Sequence, residues 1–295
     1  MKSNKYEIDM CNGSIMDKLV SFALPLMSGI LQLMFNAVDI IVVGRFSGSE
    51  ALAAVGSTTA LINVFTNLFI GISLGANVLA ARFFAAGRKE EMSETVHTSI
   101  TLALISGIFM AFVGLVFSKG ALELMGTPED VIGLSTLYMR IYFMGMPFFM
   151  LYNYGAAILR AVGDTKRPLY FLIIAGVINA GLNMVLVIVF GLGVSGVGIA
   201  TVFSQMVSCV LVLTCLCRTD GSYKLSFSKL SIKGYYLKQI FQVGIPAGIQ
   251  STVINFSNAL LQSSVNSFGS TAMAGYTAAN NILGFLYVSI NSVTQ

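Results

Sequence analysis

Two long stretches of this chain carry no charge at all. Pro168 to Cys217 and Gln239 to Gln295 are runs of 50 and 57 residues without Asp, Glu, Lys or Arg. A helix that crosses a bilayer needs roughly 20 mainly apolar residues, so each run is long enough for two crossings. In lipid, backbone N–H and C=O groups must pair within their own helix or around a closed barrel. These runs lack the apolar–polar alternation of barrel strands, which leaves helices. The whole chain agrees, with 56% hydrophobic and 10% charged residues and a mean hydropathy of +0.81. A soluble domain carries about a quarter charged residues. The chain reads as an all-α membrane protein.

Hydropathy and turn signals predict eight spans, at about 17–43, 52–81, 95–117, 131–158, 168–190, 196–217, 238–265 and 272–295. The polar stretch Met1 to Lys18 leads into the first span without a cleavage pattern, so insertion is expected to rest on that span. Basic residues then fall on alternate sides. One side holds Lys2, Lys5, Lys18, Arg82, Arg88, Lys89, Arg160, Lys166, Arg167, Arg218, Lys224, Lys229, Lys233 and Lys238, and the other holds Arg45 and Lys119. The positive-inside rule makes the N-terminus cytoplasmic. The net charge of +4 is therefore topological, and no nucleic-acid partner is implied. The four cysteines, Cys11, Cys209, Cys215 and Cys217, form no paired framework.

An internal repeat appears when residue n is laid on residue n+221. Phe22-Ala-Leu-Pro25 falls on Val243-Gly-Ile-Pro246, and Gly48-Ser-Glu-Ala-Leu-Ala53 on Gly269-Ser-Thr-Ala-Met-Ala274. The repeat is thus six helices long and parallel, a pattern found in two-lobed secondary transporters. The expected organisation is a six-helix lobe at 1–217, a cytoplasmic linker at 218–237, and the start of a second lobe at 238–295. That gives eight of twelve helices, and a chain of this extent is expected to be a fragment that does not transport alone.

Asp39 is the one acid well inside a predicted span. An Asp at mid-bilayer costs about 2.5–3.5 kcal/mol on insertion scales, so it faces a cavity or a partner. Gln32, Asn36 and Asp39 share one helix face, and the competing reading is an Asp near the outer surface that is merely solvated. Asn179 and Asn183 lie one turn apart in the fifth span, as do Thr201 and Gln205 in the sixth. Their carboxylate, amide and hydroxyl oxygens suit a hard cation such as Na+, although each alone also reads as interhelical glue. Ser251, Asn255, Asn258 and Gln262 form a polar stripe in the seventh span, which either lines a substrate path or packs helices. The repeat places Leu260 opposite Asp39, so the ionisable group belongs to the first lobe alone. Arg140 either pairs with Asp39 or snorkels to an interface, and snorkelling is favoured. His97 reads as interfacial. P-loop, HExxH, GxSxG and Cys–His metal patterns are missing, which argues against an enzyme and against ATP bound on this chain.

The residues resemble the multidrug and toxic compound extrusion (MATE) transporters. The resemblance rests on Pro25, on Val38-Asp39-Ile40 through Gly44, and on Gly48-x-x-Ala-Leu-Ala-Ala-Val-Gly56. It continues through Leu159-Arg160-Ala-Val-Gly163-Asp164-Thr165-Lys166-Arg167-Pro168, Asn179-x-x-Leu182-Asn183 and Gly193-x-x-Gly196-x-Gly-Ile-Ala-Thr201-x-x-Ser-Gln205. It implies two six-helix lobes in the plasma membrane, alternating access, and export of cationic or amphipathic small molecules driven by H+ or Na+. No cofactor beyond the coupling ion is implied. It also implies a cation site of Asp39, Tyr138, Asn179, Asn183 and Thr201; Gln32, Asn36, Gln205, Asn255 and Asn258 are cavity candidates by their helical spacing. Two departures stand out. Asn183 replaces the family's second carboxylate, which favours coupling through protonation of Asp39, and Arg82-Phe-Phe-Ala85 replaces the usual Gln-x-x-Gly. The alternatives are a lipid-linked oligosaccharide flippase of the wider superfamily, disfavoured by the shortage of intramembrane cations, and a non-transporting membrane scaffold.

Overall fold

A computed structural model describes the backbone of residues 28–294 and the side chains of residues 37–280 and 282–284. The described part is all-helical. The α-helices are α1 (Ser28–Phe46), α2 (Gly48–Ala85), α3 (Lys89–Leu124), α4 (Glu129–Met144), α5 (Met146–Ala161), α6 (Lys166–Asn183), α7 (Gly193–Arg218), α8 (Gly234–Asn266) and α9 (Ser270–Thr294). Four helical stretches, Gly48–Ala85, Lys89–Leu124, Lys166–Val189 and Gly193–Arg218, are each long and apolar enough to cross a membrane. The chain reverses between helices through glycines with positive φ at Gly48, Gly87, Gly126, Gly163, Gly191, Gly193 and Gly269. Such a backbone strains any residue with a β-carbon. Gly48 and Gly269, which the repeat pairs, have φ of 90° and 87°.

The fourth predicted span is not one helix. It divides into α4 and α5 at Gly145, because Pro147 has no N–H to continue the ladder. The N–H groups of Phe148 and Phe149 instead share the Gly145 carbonyl, each at 3.1 Å. α6 runs directly into a π turn, Met184–Val189, immediately after Asn183. Such turns arise where a residue is inserted into a helix and occur often at functional sites. Pro246, by contrast, lies inside an unbroken α8.

α2 is the axis of the bundle. α8 runs antiparallel along it, and at the seam Gly71 meets Gly248 while Gly75 meets Gly244 and the Ile240 carbonyl. The backbones approach so closely that a β-carbon on any of these glycines would overlap the facing chain. α3 and α5 flank α2, and α5 also packs on α7, which pairs with α6. The core between them is built on Phe143, Met146, Met150, Tyr154 and Ile158, all fully buried.

The segment joining α7 to α8 is docked rather than loose. Tyr223 and Leu225 are buried, and the N–H of Ser226 donates to His97 Nε2 at 3.1 Å. His97 Nδ1 in turn bonds the Ser93 carbonyl at 2.7 Å. His97 is therefore a buried clasp between α3 and the segment after α7, its ring accepting the Ser226 amide. The Arg160–Pro168 motif also has a structural role. Asp164 is fully buried, accepts the Arg167 backbone N–H at 3.1 Å, and forms an ion pair with the Arg167 guanidinium. Arg167 Nη1 reaches Cys215 Sγ at 3.0 Å, tying this turn to α7. Cys209, Cys215 and Cys217 are free thiols, and Cys11 lies outside the described residues.

Candidate functional site

A cavity of about 630 Å³ lies within the bundle, walled by α1, α2, α4, α5, α6, α7, α8 and α9. α1 brings Asp39 to it, α4 brings Tyr138 and Tyr142, and α6 brings Asn179. α7 supplies Thr201 and Gln205, and α8 supplies Asn255, Asn258 and Gln262. Each group lies at three- or four-residue spacing on its helix, so one face of each helix points inward. Bundle interfaces commonly collect polar side chains this way, because lipid offers them no partners.

Asn183 sits just behind the wall, fully buried. Its Nδ2 donates to Asp39 Oδ1 and also to Asn179 Oδ1, the latter at 3.2 Å. The first bond joins α1 to α6 across 144 residues of chain. The Oδ1 of Asn183 is buried with no hydrogen-bond donor in reach among the described residues. Thr201 donates its hydroxyl to the Val197 carbonyl at 2.9 Å and lines the cavity. Tyr138 and Tyr142 stand side by side with ring centroids 6.1 Å apart.

Asp39 enters no ion pair among those formed by the described residues. Arg140, the basic side chain that the sequence offers it as a partner, is instead exposed on the outer face of α4. Among the described residues no Lys or Arg lines the cavity, and no cluster of His, Cys, Asp and Glu is fit for a transition metal. The arrangement is a pocket of mixed apolar and polar lining in which Asp39 is the one acid among the described residues. It can accept hydrogen bonds and a positive charge, and it offers nothing cationic to an anion.

The structure thus brings Asp39, Tyr138, Asn179, Thr201, Gln205, Asn255 and Asn258 onto one cavity, with Asn183 in contact behind Asp39. The side chains of Gln32 and Asn36 lie outside the described residues. Sequence reasoning missed a whole wall. Thr59, Asn63, Thr66 and Asn67 of α2 line the cavity, as do Tyr276, Thr277 and Asn280 of α9. The α2 residues recur at helical spacing, the same signal that singled out α8.

Comparison with known proteins follows the same lines. The MatE family model matches residues 26–185. YoeA, a probable multidrug resistance protein of Bacillus subtilis (strain 168), is 34% identical over 283 residues, covering 92% of this chain and 61% of that protein. An FAD transporter of Shewanella oneidensis is 23% identical over 284 residues, covering 94% of this chain and 62% of that protein. Among solved structures, an outward-facing multidrug resistance MATE transporter superposes with a TM-score of 0.84 at 25% identity, over 99% of this chain and 65% of that one. An inward-facing one gives 0.78 at 25% identity, over 90% and 64%. The chain spans about three fifths of the length of the curated relatives it matches.

Proposed function

This chain belongs to the MatE family, and from that premise we propose that it serves a cation-coupled exporter of small molecules that works by alternating access. Its relatives are transporters rather than enzymes, and it is a multi-pass membrane protein. In this reading residues 1–217 form the first lobe, 218–237 the linker and 238–295 the start of the second lobe, with the N-terminus in the cytoplasm and the protein in the plasma membrane.

One observation carries the coupling role. The Asp39 carboxylate faces the cavity with a single amide N–H as its partner and, among the described residues, no cation paired to it. A charge so placed in a membrane protein demands a countercharge. The orphan Oδ1 of Asn183 beside it would accept a proton added to Asp39, or join the oxygens around Na+. With one carboxylate and otherwise amides, H+ suits the site better than Na+, because a bare pair of amides holds Na+ weakly. The coupling site therefore comprises Asp39, Asn183, Asn179, Thr201 and Tyr138.

The same cavity supports a substrate reading. A wall of amides, phenols and one acid favours cationic or neutral amphipathic molecules with hydrogen-bonding groups. The lack of a lining Lys or Arg among the described residues disfavours a lipid pyrophosphate, as a flippase would carry, and equally a dinucleotide such as the Shewanella relative's FAD.

The test is paired. Infrared difference spectroscopy of the purified chain between acid and alkaline pH should show a carboxylic C=O band that is lost in Asp39→Asn. In proteoliposomes of the full-length Bacillus relative, dye efflux under a pH gradient should need the acid at the position equivalent to Asp39. Equal gradient-driven efflux with and without it would sink the coupling role.

A further inference from the structure

We propose that Gln262 is a ligand sensor that controls a latch at the Gly126 end of the bundle; this rests on the transport reading of the cavity above. Near its C-terminal end α8 is fastened to the turn between α3 and α4. Asn266 Nδ2 donates to the Met125 carbonyl at 3.1 Å, and Ser263 Oγ donates to the same oxygen at 3.1 Å. These bonds span 141 and 138 residues of chain, so they join the part after the linker to the part before it. The opposite end of the same contact, at Gly71 and Gly75 against Gly244 and Gly248, is sealed by backbone packing instead. Directional bonds at one end and featureless contact at the other make the Gly126 end the one that can be switched.

Gln262 connects this latch to the cavity. Its Nε2 donates to Asn266 Oδ1 at 3.0 Å, and its side chain lines the cavity wall. That bond holds the Asn266 amide with its oxygen toward Gln262 and its N–H groups toward Met125. Asn266 is 1% exposed and does not line the cavity, so its side-chain oxygen has no ready replacement partner in water. A cavity ligand whose hydrogen-bond acceptor turns the Gln262 amide toward the cavity draws its NH2 group away from Asn266. This leaves the Asn266 oxygen unpaired in a dry site, and the amide then gains by turning away from Met125. The ligand acts on the latch only through its differential effect on the two states. Gln262 is thus a positioning residue for Asn266, and the ligands it answers to carry a carbonyl or ether oxygen.

The experiment reads opening by thiol labelling. Thr66, a buried residue of the cavity wall, is changed to Cys in a chain whose native cysteines are Ser, and a membrane-impermeant maleimide is applied to proteoliposomes. Rhodamine 6G, a cation with an ester carbonyl, should raise the labelling rate about fivefold, the equivalent of one neutral hydrogen bond. Tetraphenylphosphonium, a cation with no acceptor, should bind without raising it. Gln262→Ala should label fast with or without rhodamine 6G, because its Asn266 oxygen lacks the Gln262 donor in both cases. Asn266→Ala and the near-isosteric Asn266→Asp should both label fast without ligand. Equal responses to the two cations, or a retained response in Gln262→Ala, would overturn the sensor. Unchanged labelling in both Asn266 variants would overturn the latch, whatever the ligand does. If neither cation binds the cavity, the transport reading fails while the ligand-free Asn266 comparison still decides the latch.

Discussion

Asn183 donates its side-chain N–H to the Asp39 carboxylate, so an amide holds the position beside the acid where the family resemblance expects a second carboxylate. The two residues lie on helices α1 and α6, and their bond is a direct tie between those helices. Replacing Asn183 with Asp should add a second anionic oxygen donor at contact distance and tighten Na+ binding at least about tenfold, since hard-cation affinity follows ligand charge. Isothermal calorimetry with NaCl against choline chloride on the purified chain measures it. Unaltered Na+ affinity would mean that these oxygens do not face the ion.

With no Lys or Arg lining the cavity among the described residues, binding is expected to depend on ligand charge. Asn258→Lys should place an ammonium in the cavity, on the order of 10 Å from a bound cation. At an effective dielectric of ~20 this costs roughly 1.5 kcal/mol, about tenfold in affinity. Fluorescence titration with rhodamine 6G should show that loss, while an uncharged dye of similar size binds as before. An equal loss for both dyes would point to lost volume instead of charge.

Asp164 and Arg167 make a prediction about stability alone. Asp164 is fully buried and pairs with a guanidinium that also reaches Cys215. Removing one member of a buried pair leaves the other uncompensated, at about 3–5 kcal/mol. Arg167→Ala should therefore lower thermal stability sharply, read by circular dichroism in detergent. Cavity ligands should bind the surviving folded fraction normally, because neither residue lines the cavity.

The seam between α2 and α8 should be intolerant of enlargement. Gly75→Val would put two methyl groups into the space held by the Ile240 carbonyl and Gly244. Overpacking of this kind costs about 1–3 kcal/mol, whereas Gly120→Ala, with open space around it, should be silent. Thermal unfolding of the two variants separates them, and equal stability would remove the seam from the account.

Sequence and structure agree where the signal was periodic and disagree where it was local. The charge-free runs after Pro168 fold as α6 and α7, and the polar pairs Asn179/Asn183 and Thr201/Gln205 come together because those helices pair. The break at Gly145 was invisible to a hydropathy window, which averages across a proline that matters only to one ladder bond. Pro246 has the same chemistry and no such effect, since α8 continues through it. Asn63 and Asn67 were passed over because α2 is long and mostly apolar, so its polar face is diluted. His97 was read by position near a helix start, yet its role depends on Ser226, which is distant in sequence.

Between Gly71–Gly75 and Gly244–Gly248 the helices meet chiefly backbone to backbone, with the Leu68 side chain reaching Gly248. Interlocked leucines would have to disengage ridge from groove before the helices could shift. Two nearly bare backbones can shear past each other with few rotamers to unlock, so this part of the molecule behaves as a bearing rather than a bolt. The cost of any relative motion then falls on the few groups that do engage.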